Sequence, residues 1–242
     1  MSKFKRLMAA VLTAVMLLTF IPASSVLAGT WKKKNGEWYY YQNGKKLKKC
    51  WLYVGGKKYA LDDKGRMITS KNHKKGVKID GNVYFFTKKG AIKKKCWKKV
   101  KVSGKTVWYY LSKSGPAYKG RKKIGKKYYY FDETDCFMYT KEITGYSYCP
   151  VKNQKYFYFL NKDGSLKTKK WTKITYKVDD TTSVTYNFYV GTYGTPVTGW
   201  KKIDGSWYYF DSQNYRARVE GVTKMIDGEY YTFDANGVCQ NK

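Results

Sequence analysis

The stretch Thr198 to Asn214, TGWKKIDGSWYYFDSQN, limits the possible folds more than any other part of the chain. Asp204-Gly205 divides it, and an Asp-Gly step between two strand-forming runs is the strongest short-range hairpin signal, because a type I′ turn needs positive φ at both central residues. Trp207-Tyr208-Tyr209-Phe210 is too dense in aromatic residues to be anything but a strand. The stretch therefore predicts one β-hairpin closed by a polar turn at Asp211 to Asn214. The pattern begins again at Val222 to Gly237, VTKMIDGEYYTFDANG, with the same turn and the same kind of aromatic strand.

Turn glycines extend this pattern through the chain. Asn35-Gly36, Gly55-Gly56, Asp80-Gly81, Ser103-Gly104, Ile124-Gly125, Asp204-Gly205 and Asp227-Gly228 recur at intervals of about 20 to 25 residues, a period that signals a repeat architecture. A second series of turns falls at Gly44, Gly65, Gly90, Gly115, Gly164, Gly194 and Gly237. About nine units fill residues 29–242 as one array, with no Pro-rich or Ser-rich linker. In the least regular part, Cys136 stands where a turn Gly is expected, and Thr175 to Tyr186 reads as a stretched turn insertion. A lone hairpin is marginal in water. Strict alternation puts Trp207 and Tyr209 on one face and Tyr208 and Phe210 on the other, so each unit needs neighbours on both sides. The expected fold class is all-β, a solenoid of stacked β-hairpin repeats held by aromatic junctions.

Residues 1–28 have the features of a secretory signal peptide. Lys3, Lys5 and Arg6 precede an apolar run from Leu7 to Phe20, and Val26-Leu27-Ala28 offers small residues for cleavage. The run is shorter than the ~20 residues of a spanning helix, so no transmembrane segment is expected. The chain carries +32 overall and +29 without the leader. From Gly29 to Gly125 there are 29 Lys and Arg against 4 Asp and Glu, giving +25; from Lys126 to Lys242 there are 17 against 13, giving +4. Lysine runs such as Lys32-Lys33-Lys34 and Lys93-Lys94-Lys95 protect strand edges, but +25 in under a hundred residues also calls for a polyanionic partner. Arg66 and Arg121 are the only arginines of that half, and Lys acts as a point charge, which suits diffuse attraction to a phosphate polymer. No specific nucleic acid is expected, since no recognised binding motif accompanies the charge.

The Gly-Trp-Lys-Lys-x-Asp-Gly-x-Trp-Tyr-Tyr-Phe-Asp form of Gly199 to Asp211 resembles the cell wall-binding, or choline-binding-type, repeat of Gram-positive surface proteins. Weaker copies begin at Trp31, Trp51, Trp97 and Trp171, and the resemblance covers essentially all of 29–242. It implies small aromatic cages at the junctions, each taking two aromatics from one hairpin and a third from the Trp that opens a neighbouring unit. On that pattern Trp38, Tyr40 and Trp51 form the first cage, and Phe157, Phe159 and Trp171 the sixth. If the Trp of the same unit also contributes, Trp31 joins the first group, and Trp97, Trp108 and Tyr110, like Trp200, Trp207 and Tyr209, become further candidates. Arg121 and Val222 replace opening Trp residues, and Lys58 and Ala60 replace the aromatics of unit two, so those junctions are expected to bind nothing. For the charge of a secreted chain the expected partner is an anionic wall polymer, teichoic or lipoteichoic acid, with anionic lipid surfaces, host glycosaminoglycans or extracellular DNA as alternatives; the resemblance adds choline or a glycan at the cages. Flat rings stack on sugar faces as well as on ammonium groups, and aromatic count alone does not separate the two.

Other chemistry has few residues to work with. The five cysteines are Cys50, Cys96, Cys136, Cys149 and Cys239, an odd number, and Cys136 with Cys149 is the one pair placed to close a short loop. With His73 the only histidine, neither a zinc site nor a Cys-His pair has enough ligands, and no metal or cofactor is expected. Asp132, Asp211 and Asp234 recur after aromatic strands and read as turn residues, not as a catalytic pair. Gly237 to Lys242 shows no sorting motif, in keeping with noncovalent retention. The expected function is that of a secreted, noncatalytic, cell wall-associated binding protein. The alternative is an adhesin for host glycans or proteins, followed by an accessory of a wall hydrolase or glucan-binding enzyme.

Overall fold

In the computed structural model the described residues are 19–20, 29–151 and 157–242. The expected signal peptide lies outside them except for Thr19–Phe20, whose backbone pairs in parallel with Cys50 and Trp51. The fold class is all-β, as the sequence predicts, with a single four-residue helix at Lys141–Thr144 among the described residues.

Among the described residues nine hairpins follow one another. In chain order they pair Thr30–Lys34 with Glu37–Gln42, Cys50–Val54 with Lys57–Leu61, Val77–Ile79 with Asn82–Tyr84, and Trp97–Val102 with Lys105–Tyr110. The fifth pairs Gly120–Ile124 with Lys127–Phe131 and the sixth Tyr148–Pro150 with Phe157–Phe159. The last three pair Lys170–Lys177 with Ser183–Val190, Gly199–Ile203 with Ser206–Asp211, and Thr223–Ile226 with Glu229–Thr232. The described residues form two compact units, one up to Ile124 together with Tyr129–Ile143, the other of Gly125–Tyr128 with those from Thr144 on.

The primary turns have the expected chemistry. Ile203 pairs with Ser206 across two residues, Asp204 and Gly205, whose φ values are 49° and 86°. The second turns are organised by the carboxylates at the strand ends. Asp62 Oδ1 accepts the N–H groups of Lys64 and Arg66 at 3.0 and 2.7 Å, and Asp234 Oδ1 accepts those of Asn236 and Val238 at 2.8 Å each. Asp132 does the same for Thr134 and Asp135, and its Oδ2 accepts the Tyr139 hydroxyl at 2.7 Å. Cys136 fills the turn position in the left-handed conformation a Gly would take, with φ of 60°.

A further set of bonds links consecutive hairpins. In the first unit the N–H groups of Met67, Ile92, Ala117 and Met138 donate to the carbonyls of Trp38, Lys58, Val83 and Trp108 at 2.7 to 2.9 Å. In the second, Leu166 donates to Tyr128 at 2.7 Å and Cys239 to Trp207 at 2.9 Å. Each of these donors follows a second turn, and each acceptor lies on the aromatic strand one hairpin earlier. The bond satisfies a carbonyl that an isolated hairpin would leave to water. After the seventh hairpin the position equivalent to these donors is Pro196, which bridges Val190 of its own repeat as Met67 does Leu61 but has no N–H to give.

Two expectations need correction. Thr175 to Tyr186 is not a loop insertion: Lys170–Lys177 and Ser183–Val190 stay in register over eight residues each, and Asp179 Oδ1 caps the distal turn by accepting the N–H groups of Thr181 and Thr182 at 2.9 and 2.7 Å. Nor are the junctions aromatic alone, since one core of the first unit packs Ile68, Val77, Ile79 and Ile92 around Trp51, Tyr84 and Phe86. All five cysteines are free thiols, so Cys136 and Cys149 are unpaired. Burial pushes the Cys50 and Cys136 thiols up to about 11 and that of Cys149 to about 12.

Candidate functional site: aromatic cages between hairpins

Register builds each cage. In the eighth hairpin Trp200 lies opposite Tyr209 and Lys202 opposite Trp207, so all four side chains share one face of the ladder. Trp200 meets Trp207 at 6.5 Å and 89°, and Tyr209 at 5.2 Å and 66°. The other side of its ring faces the ninth hairpin, with Tyr231 at 4.7 Å and 71° and Phe233 at 5.8 Å and 26°. Edge-on packing of this kind is favoured by the ring quadrupoles, at ~0.5 to 1.5 kcal/mol per pair beyond area burial.

The fourth hairpin repeats this geometry in the first unit. Trp97 lies opposite Tyr110, Lys99 opposite Trp108, and Trp97 meets Trp108 at 6.3 Å and 86° and Tyr110 at 5.1 Å and 73°. From the next hairpin come Tyr129 at 5.1 Å and 71° and Phe131 at 6.2 Å and 32°. In the first hairpin Trp31 packs edge-on against Tyr40 at 5.0 Å and against Tyr59 of the second hairpin at 5.3 Å. Trp38, opposite Lys33, stands 40% exposed on the same face.

The candidate residues therefore group around the opening Trp of the same hairpin, the alternative that the sequence left open, and not around that of the neighbouring one. The structure brings together Trp97, Trp108 and Tyr110, and Trp200, Trp207 and Tyr209. It does not bring Trp51 to Trp38 and Tyr40: Trp51 is buried in another cluster, against Tyr84 at 5.0 Å. Nor does it bring Trp171 to Phe157 and Phe159. Those two phenylalanines pack on Phe188 at 5.6 and 5.2 Å, while Trp171 faces Tyr189 at 5.3 Å and Tyr208 at 5.0 Å. The outer wall comes from the aromatic strand of the following hairpin, not from its opening Trp. Tyr59, Tyr129, Tyr208 and Tyr231 were missed for that reason. Each is the second aromatic position of the strand, on the face opposite Trp207 and Tyr209, and that shared position was the signal available in the sequence.

Several of these tryptophans already face a cation, as Trp108 does Lys99 at 5.4 Å. At the Trp51 site Lys58 takes the place of Trp207, and its Nζ lies 4.1 Å from the Trp51 ring centre. At Trp171 the Arg218 guanidinium carbon stands 5.3 Å from the ring and is itself bonded to Glu220 through Nε at 2.9 Å. At Trp200 the Lys242 Nζ lies 4.2 Å from the indole, 5.1 Å from Tyr231 and 5.6 Å from Trp207. Such distances fall within the ~6 Å reach of cation–π attraction. The carboxylates Asp62, Asp132 and Asp234 are engaged in turns, and no group of three or more metal-ligating residues occurs among the described residues.

Residues 197–238, which contain the Trp200 cage, match the family model described as choline-binding repeat. This segment is a choline-binding-type repeat. No curated protein matches the chain. Among solved structures, CbpJ from Streptococcus pneumoniae aligns at 17% identity over 88% of this chain and 94% of its own, with a TM-score of 0.39. Choline binding protein F from Streptococcus pneumoniae aligns at 18% identity over 89% and 94%, with a TM-score of 0.39. The modular autolysin LytC from Streptococcus pneumoniae aligns at 23% identity over 88% of this chain and 46% of its own, with a TM-score of 0.49.

Proposed function

We propose that this chain is a secreted, noncatalytic cell wall-binding protein that attaches without covalent linkage to the Gram-positive envelope. Its partner is teichoic or lipoteichoic acid, whose phosphates are drawn to the lysine-rich residues 29–125 and whose quaternary ammonium substituents, choline being the type, enter the aromatic cages. The observation that carries the proposal is the same three-walled arrangement at Trp97, Trp108 and Tyr129 and at Trp200, Trp207 and Tyr231, the second of which already accommodates an ammonium group. A single cage contact is weak, ~0.5 to 2 kcal/mol, but several cages on one polymer gain by effective concentration, by ~10² to 10⁴ in avidity.

A pull-down of the protein on purified walls tests this. Binding should fall when teichoic acid is removed, fall as salt rises, and be released by free choline at constant salt, since exposed charges are screened within ~8 Å at physiological ionic strength and cage contacts are less sensitive. Undiminished binding to walls stripped of teichoic acid, resistant to both salt and choline, would contradict the proposal and favour sugar stacking on a glycan.

A further inference from the structure

We propose that Lys242 is an intrinsic occupant of the Trp200–Trp207–Tyr231 cage and competes there with an external quaternary ammonium, so that this cage is gated by its own chain. The inference rests on the cage reading above and adds its regulation.

The ammonium reaches the cage because the preceding residues are fixed. Cys239 N–H donates to the Trp207 carbonyl at 2.9 Å and Gln240 N–H to the Thr232 carbonyl at 2.9 Å. Asn241 then bridges the strand on either side of Tyr231: its Nδ2 donates to the Tyr230 carbonyl at 2.9 Å, and its Oδ1 accepts the Thr232 N–H at 3.0 Å. The segment is thus bonded to the two strands that carry cage walls, Trp207 on one and Tyr231 on the other. Lys242 is the next residue, and its Nζ lies over three rings at once, 4.2 to 5.6 Å from their centres. Among the described residues Lys242 makes no ion pair with a carboxylate, so its competitor for that volume is another cation; Lys202 lies over Trp207 alone, at 5.9 Å.

The chemistry favours displacement. A primary ammonium is compact and strongly hydrated, and it loses water when it enters a ring cage. A trimethylated ammonium holds its water weakly and covers the ring faces with methyl groups, so it gains more from the same walls. The lysine has the advantage of its tether, which presents it at an effective concentration in the millimolar range. Dilute monomeric ligand is therefore excluded, while a polymer held by the other cages and by the lysine-rich segment displaces the lysine. Lys58 is a different case. It too lies over a Trp, but Trp51 is buried and Ala60 stands where Tyr209 completes the Trp200 cage, so removing the Lys58 ammonium exposes no cage.

The test uses the full chain with ¹³C,¹⁵N labelling and its lysines unmodified, read at the lysine Cε–Hε signals, alongside the variants Lys242→Gln, Asn241→Ala and Lys58→Gln. In the parent protein the Lys242 signal should be shifted upfield by the rings; it should vanish in Lys242→Gln and move toward its free position in Asn241→Ala. Choline should move it the same way. In ¹⁵N spectra the Trp200 and Trp207 indole signals should respond to about 2- to 30-fold less choline in Lys242→Gln, the change that corresponds to one cation–π contact of ~0.5 to 2 kcal/mol. Lys58→Gln should leave those midpoints unchanged. An unshifted Lys242 signal, or equal indole midpoints with and without Lys242, overturns the inference. The Trp97 indole serves as the separate gauge: if it responds to choline while those two results fail, the cage reading stands and the gating does not. If it fails to respond, the cage reading itself falls.

Discussion

At the residue scale, the repeat tolerates backbone strain at fixed positions. Lys49, Lys95 and Lys169 have φ of 46°, 47° and 49°, each two residues before an opening Trp. The left-handed region costs an L-residue roughly 1 to 2 kcal/mol, and Gly avoids that cost while losing part of the gain to its greater freedom when unfolded. Lys95 is exposed, and its N–H donates to the Ser112 carbonyl at 3.1 Å, a bond that a Gly keeps. Lys95→Gly should therefore stabilise the protein by about 0.5 to 1 kcal/mol, read as a higher midpoint in thermal or denaturant unfolding. An unchanged or lower midpoint would show that the lysine side chain contributes more than the strain costs. His73 is also informative at this scale: burial lowers its pKa, so its unfolded form takes a proton first and its contribution to stability declines as pH falls below about 6.5.

At the scale of elements, the hairpins were legible and their partners were not. Asp204-Gly205 and Trp207 to Phe210 specify a turn and a strand locally, because the turn needs two positive φ values and the strand alternates with a period of two. The cage is a relation between one hairpin and the next. Trp200 and Tyr231 lie a full repeat apart in sequence, and nothing local to either names the other. The same distance hid the bonds from Met67 to Trp38 and from Cys239 to Trp207, which are backbone bonds and carry no side-chain signature. Thr175 to Tyr186 reads in sequence as a stretched turn insertion, whereas cross-strand pairs such as Thr175 with Thr185, whose hydroxyls lie 2.9 Å apart, continue the ladder. Hydrogen exchange separates these roles. The amides of Met67, Ile92, Ala117 and Met138, bonded to a neighbouring hairpin, should exchange among the slowest, and those of Thr175 and Lys177 on the exposed extension much faster. Equal rates would mean that the bonds between hairpins open independently of the fold.

At the scale of the whole molecule, the proposed function gives charge and aromatic rings different parts in holding one partner. The +25 of residues 29–125 acts over a Debye length on any polyanion, with little geometry. On the same proposal the cages act over a few ångströms and select the cation. Their number is smaller than the number of repeats, because Lys58 fills the position of a wall in the second hairpin and Asn187, bonded to Glu220 at 3.2 Å, takes it in the seventh. Composition could reveal the first mode and the repeat count could suggest the second, but only the register shows which hairpins retain their walls.

The most direct measurement is a crystal structure of the full chain grown with choline. The account predicts a quaternary ammonium within ~6 Å of the ring centres of Trp97, Trp108 and Tyr129, and none over Trp51, where Lys58 already lies. An empty Trp97 cage at saturating choline, or ligand seated over Trp51 in place of Lys58, would contradict it.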